Sequence, residues 1–198
     1  MQIGLKKHYY RAKVTKQIKK DLQVWKSFLL DYNYQTFFLD FRWQSSASLQ
    51  LYSDAASTIG FGVIFGHKWS FGLWDDSCLG LNIALLELYP IVLAFHLWGD
   101  HLNNKCIIIN TDNQAVVHIL NYFTSKDIKI MILIRKLVLI TMQRNILIKS
   151  VHLPGYLNTL SDMISRNQVQ KALLLDPSLD KIPVRVPEEM RLEKWLNE

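Results

Sequence analysis

The chain has 198 residues, 49% hydrophobic and 20% charged, a balance that excludes a disordered polypeptide and supplies one packed domain with extensions. Its two cysteines, Cys78 and Cys106, form no CxxC pair and no disulfide framework, which points to a reducing, intracellular setting, cytoplasm or nucleus. The net charge of +6 is uneven, with +7 in residues 1–26 and −1 in the remainder, so attraction to a polyanion resides in the N-terminal arm.

No membrane partner is expected. The start, MQIGLKKHYYRAK, lacks an apolar signal core, and the uncharged apolar run Leu88 to Gly99 is too short to span a bilayer. Residues 1–47 are expected to form a basic helical connecting segment. Ile18, Leu22, Trp25 and Leu29 recur there at helical spacing behind Thr15, a suitable N-cap. The aromatic cluster Tyr32, Tyr34, Phe37, Phe38, Phe41 and Trp43 that follows reads as extended chain in need of a partner surface. From Leu49 to Asp54 apolar and polar residues alternate at the period of a half-buried strand. Gly60 to Gly66 and Lys68 to Trp74 follow as second and third strands of an antiparallel meander. Ala84 to Trp98 reads as a buried helix, in which Pro90 is tolerated if the helix starts near Leu86 or bends. Lys105 to Asn110 is a continuous apolar run, as in a strand covered on both faces. Helices are expected over Gln114 to Asn121, Ile128 to Arg144 and Leu157 to Lys171, with a strand over Ile148 to His152.

This order describes an α/β domain at 48–172 around one five-stranded mixed sheet, three antiparallel strands and then parallel ones, flanked by helices. Residues 173–198, punctuated by proline, read as a tail or linker. Four acids stand where ligands gather in such sheets, at strand ends or on facing helices. Asp54 ends the first strand, followed by the small residues Ala55, Ala56 and Ser57, and Asp112 ends the fourth. Glu87 lies between leucines in an apolar helix, and a buried acid there wants a cation or a raised pKa. Asp162 lies in the last helix. Plainer roles exist for three of them: Asp54 as a turn former, Asp112 as a helix cap, Asp162 as an exposed acid or partner of Arg166 at (i, i+4). Together the four suggest a hard-cation site, because oxygen-only donors favour Mg²⁺ or Mn²⁺ over zinc. Two such ions about 4 Å apart can activate water and stabilise a leaving oxygen in phosphodiester cleavage.

The segments LYSDAAS, GFGVIFG, LLELYPIVLA, IIINTDNQAVVHIL and HLPGYLNTLSDMISR resemble, in this order and spacing, the ribonuclease H domain of retrotransposon reverse transcriptases, DIRS-type elements above all. The likeness spans about residues 48–170, and VTKQIKKDLQVWKSFLLDYNYQTFF resembles the segment joining the polymerase thumb to that domain. It departs from the family pattern at Tyr52-Ser53-Asp54-Ala55-Ala56, where Thr-Asp-Ala-Ser is typical, and at Ser161, where Ala is common.

The resemblance implies a ribonuclease H-like fold and an Mg²⁺-dependent endonuclease that hydrolyses the RNA strand of RNA–DNA hybrids. It implies that Asp54, Glu87, Asp112 and Asp162 hold two Mg²⁺ or Mn²⁺ ions. Asp54 would bridge both, Glu87 and Asp112 would hold the water-activating ion, and Asp162 would complete the other site. It gives His152 a role in product release, with strand-end packing as the plainer role. Ser57, Asn113 and Asn158 would contact the hybrid, with helix capping as the plainer role of the two asparagines. The expected context is a reverse transcriptase polyprotein whose polymerase part is a partner, since no Tyr-x-Asp-Asp motif is present. Two alternatives stand beside it: a catalytically silent module that binds nucleic acid or acts as a scaffold, and an integrase- or transposase-like nuclease of the same superfold.

Overall fold

The computed structural model describes residues 14–32, 42–152, 154 and 158–197. The basic residues Lys6, Lys7, Arg11 and Lys13, the aromatics Tyr34, Phe37, Phe38 and Phe41, and Gly155 of the HLPG motif lie outside the described residues.

Helix α1, Lys16–Asp31, starts at Thr15, whose hydroxyl accepts from the Ile18 N–H at 3.3 Å. Its apolar stripe does not seat it. Ile18, Leu22, Trp25 and Leu29 are exposed, and the helix docks by another flank, with Arg135 donating to Asp21 at 2.8 Å and to Gln17 at 2.9 Å.

The strands are β1 (Trp43–Ser45), β2 (Leu51–Ala55), β3 (Gly60–Phe65), β4 (Lys68–Leu73), β5 (Cys106–Thr111) and β6 (Leu147–His152). They form two three-stranded sheets, an antiparallel β2-β3-β4 and a parallel β1-β5-β6, rather than the single five-stranded sheet expected from the sequence. The reason lies at residues 46–50. Ser46 takes up the edge of β5, donating its N–H to the Ile108 carbonyl at 2.7 Å and accepting from the Asn110 N–H at 3.2 Å through its hydroxyl. The chain then turns through Gln50, at a left-handed φ of 51°, before it becomes β2. Residues 43–45, assigned to the connecting segment by sequence, thus become the strand beside β5.

Helix α2, Ile83–Trp98, is capped by Asn82 and runs unbroken through Pro90, which removes one backbone donor without ending the helix. It covers the β2–β3 face formed by Leu51, Ala55, Phe61 and Val63. With the turn that follows, the stretch Ile83–Leu102 is long and apolar enough to cross a membrane by length and composition, and most of it is buried inside this fold. Helices α3 (Gln114–Tyr122) and α4 (Ile128–Gln143) complete that layer: α4 packs on α2, and α3 lies on β6.

The single last helix expected from the sequence is two, α5 (Thr159–Ser165) and α6 (Val169–Leu175), separated where Asn167 adopts a φ of 60°. They cover the opposite face of the antiparallel sheet, over Tyr52, Ile64, Trp69 and Phe71. Residues 176–197 do not trail away as a linker. The Asp180 and Val184 N–H groups donate to the His67 and Trp69 carbonyls at 2.8 and 2.7 Å. Helix α7, Leu192–Leu196, then buries Leu192 and Trp195 against α2 and α4.

Candidate functional site

The four acids come from four separate elements, which is why no local pattern joins them. In the β2–β3 register Asp54 stands opposite Gly62, on the face that α5 covers. A Cβ at Gly62 would lie 2.8 Å from the Ile164 Cβ and 2.9 Å from the Ser161 carbonyl oxygen, so glycine is what lets α5 sit this close. Asn158 ties the start of α5 to β2 by donating to the Ser53 carbonyl at 2.8 Å. The Ser165 hydroxyl, on the last residue of the helix, donates to Asp54 Oδ2 at 2.5 Å. On the next residue, Arg166 Nε donates to Asp162 Oδ1 at 2.7 Å.

The electrostatics show that these carboxylates feel one another. Burial raises the Asp54 carboxyl above its ordinary value; the Ser165 hydrogen bond opposes this, while Asp162 and Asp112 push it further up. Burial also pushes Glu87 up to about 7, with the Asn113 amide opposing and Asp112 and Asp54 adding to the rise. Asp54 thus feels the charges of Asp162 and Asp112, and Glu87 those of Asp112 and Asp54. The side chains do not close on a common point: among the described residues, no three His, Cys, Asp or Glu side chains lie close enough together to hold a metal ion. Two of the acids are instead engaged by α5, Asp54 with Ser165 and Asp162 with Arg166.

The other expected residues divide by what occupies them. Asn113 caps α3, its side-chain oxygen accepting from the Ala115 and Val116 N–H groups at 2.9 and 3.3 Å, while its amide supports Glu87. Asn158 is occupied at both ends, donating to Ser53 and accepting from the Ser161 hydroxyl. His152 ends β6 opposite Thr111, exposed, with Nε2 at 3.1 Å from the Asp112 carbonyl oxygen. Ser57 is exposed in the turn after Asp54, a turn held by Trp74 Nε1 donating to the Ala56 carbonyl at 2.7 Å. Sequence reasoning missed Ser165 and Gly62. The signal for Ser165 was its spacing of three from Asp162, which places both on one helical face; Gly62 shows its purpose only in the register.

Whether this donor set suits a hard divalent cation can be judged from its chemistry. All four candidate groups are carboxylates, two of them carry raised pKa values, and each of those two is raised partly by neighbouring acids. A divalent ion among them relieves that repulsion, so the residues fit the group in kind.

No family model matches the chain, and no curated protein matches it. Among solved structures it is similar to LC11-RNase H1, isolated from compost by a metagenomic approach, at 19% identity over 62% of this chain and 96% of that one, with a TM-score of 0.41.

Proposed function

We propose that this chain is a ribonuclease H-type nuclease that hydrolyses the RNA strand of RNA–DNA hybrids, as part of a retrotransposon reverse transcriptase. The observation that carries the reading is the electrostatic coupling of Asp54 to Asp162, Asp112 and Glu87, four acids that the sequence motifs singled out and that lie on separate elements. Structural acids seldom need one another's company, since each like-charged neighbour raises the cost of ionisation.

Asp54, Glu87, Asp112 and Asp162 would hold two Mg²⁺ or Mn²⁺ ions. Bound there, the ions would supply an activated water and stabilise the charge on the leaving oxygen. The protein's part is placement. The Asn113 amide keeps Glu87 oriented, and the α3 cap that Asn113 forms fixes Asp112 at the end of β5. Ser165 keeps Asp54 directed toward α5. His152, beside the Asp112 backbone, is placed to meet the product as it leaves. Phosphate neutralisation dominates non-specific affinity for nucleic acid, and Lys16, Lys19, Lys20 and Lys26 of α1 supply positive charge for the hybrid.

The test is cleavage of a labelled RNA–DNA hybrid in millimolar Mg²⁺ or Mn²⁺, beside Asp54→Asn and Asp112→Asn. Cleavage of the RNA strand alone, abolished in both variants, is expected. Cleavage of a DNA duplex in preference to the hybrid would replace this reading with a transposase-like one. No cleavage by a folded protein, even with the polymerase part supplied, would leave a silent module.

A further inference from the structure

The carboxylate cluster contains its own cation. Arg166 is the C-cap residue that follows α5, and its Nε donates to Asp162 Oδ1 at 2.7 Å. The same guanidinium acts electrostatically on Asp54, so its charge is shared across the cluster rather than confined to one partner. Its position leaves little latitude. Asn158 pins the start of α5 to β2, the Gly62 contact seats the middle of the helix on β3, and Ser165, 1% exposed, binds Asp54 at the end. The next residue is thereby delivered to the carboxylates. Arg166 is nevertheless not buried: the two side chains of the ion pair are 53% and 42% exposed, so it can swing into solvent without unfolding the helix.

We infer that Arg166 is an exchangeable counter-cation that occupies Asp162 when no divalent ion is present and gives way when one binds. The inference rests on the two-metal reading of the site and adds a regulatory step to it. An ammonium- or guanidinium-type cation and a divalent ion compete for the same carboxylate oxygens, so metal affinity in the native chain is lowered by the free energy of the ion pair. Ser165 is the positioning residue that holds Asp54 on the helix in both states.

Two measurements on the full chain test this. The first follows the ¹⁵N-labelled Arg166 Nε–Hε signal by NMR, with exposed Arg185 as the reference side chain. In EDTA, Hε exchange with solvent is expected to be slower at Arg166 than at Arg185, and Mg²⁺ is expected to bring the two together. The second is Mn²⁺ titration by water-proton relaxation. Arg166→Gln is expected to bind about twofold more tightly than the parent, the scale of an exposed (i, i+4) ion pair. Arg166→Lys, which keeps a cation, is expected to lie near the parent. A gain in affinity cannot arise from mere structural damage. Equal exchange at Arg166 and Arg185 in EDTA would overturn the counter-cation whatever the metal does. Equal Mn²⁺ affinity in the parent and Arg166→Gln would overturn the exchange while leaving the two-metal reading standing. Absence of Mn²⁺ binding in both proteins, with Arg166 still protected, would overturn the two-metal reading and the exchange together.

Discussion

Glu87 stands half-buried between Leu86 and Leu88, where its carboxyl is pushed up to about 7 by burial and by Asp112 and Asp54. A carboxyl whose folded pKa exceeds its unfolded value stabilises the fold below the unfolded pKa of 4.5, and this contribution is lost as pH rises through about 7. In EDTA the parent is therefore expected to lose thermal stability over that window, and Glu87→Gln to abolish that part of the loss. Millimolar Mg²⁺ at pH 8 is expected to raise Tm more in the parent than in Glu87→Gln. Tm measured against pH, with and without the ion, checks both, and an unchanged pH profile in the variant would refute the placement of Glu87. At this scale the sequence was informative about identity and silent about occupation. It singled out Asp54, Glu87, Asp112 and Asp162; in the fold Asp162 and Asp112 raise the Asp54 carboxyl, and Asp112 and Asp54 raise Glu87. It offered Asn113 and Asn158 as hybrid contacts or caps; Asn113 caps α3, and Asn158 braces β2, its side chain accepting the Ser161 hydroxyl but no backbone N–H at the start of α5. The plainer pairing of Asp162 with Arg166 was also legible, because (i, i+4) spacing needs nothing beyond one helix.

At the scale of elements, boundaries followed local signals wherever a cap or a periodic run existed. Thr15, Asn82, Asn113 and Asp127 each accept a backbone N–H at the start of the helix that follows. Two elements escaped the local reading for different reasons. The α5–α6 break sits at Asn167, whose left-handed backbone no sequence period announces. The segment 176–197 has too little periodicity to read as structure, yet it buries Trp195 against Tyr89 and His96, at ring distances of 5.5 and 5.1 Å. The strap is thus part of the core. Trp195→Ala is expected to cost about 3–5 kcal/mol, the usual range for removing a buried aromatic. Urea unfolding of the full chain measures it, and a cost under about 1 kcal/mol would return this segment to the status of a tail.

At the scale of the whole molecule, residues 176–197 and α2 share one half-buried histidine. His96 faces Trp195 on α7, Lys136 on α4 and Arg144 at the end of α4, and its Nε2 has no hydrogen-bond partner among the described residues. Burial, followed by the two cations, lowers its pKa from 6.5 to about 4. The unfolded chain takes up a proton that the folded one refuses, so stability falls as pH drops from 6.5 toward 4, by an amount on the order of 1–3 kcal/mol. Glu87 acts in the opposite direction across much of the same window. The two are separable: denaturation midpoints of Glu87→Gln between pH 4 and 7 are expected to rise with pH, and the added His96→Gln to flatten that rise. A flat profile in Glu87→Gln alone would mean that His96 is not held neutral by the packing of α2, α4 and α7.

What the sequence by itself determined is whatever depends on neighbours along the chain: helix starts, the β2–β3–β4 meander, the apolar run of β5, and the identity of the four acids. Alternation, capping and strand-end acids are local facts, readable within a few residues. Only the tertiary structure decided the partition into two sheets, because that rests on Ser46 claiming hydrogen bonds from a strand some sixty positions away. It alone made a strap of the C-terminal segment, since Trp195 finds its partners on α2 and α4. It alone set the state of Asp54, because the Gly62 contact, visible only in the register, carries Ser165 of α5 to that carboxylate.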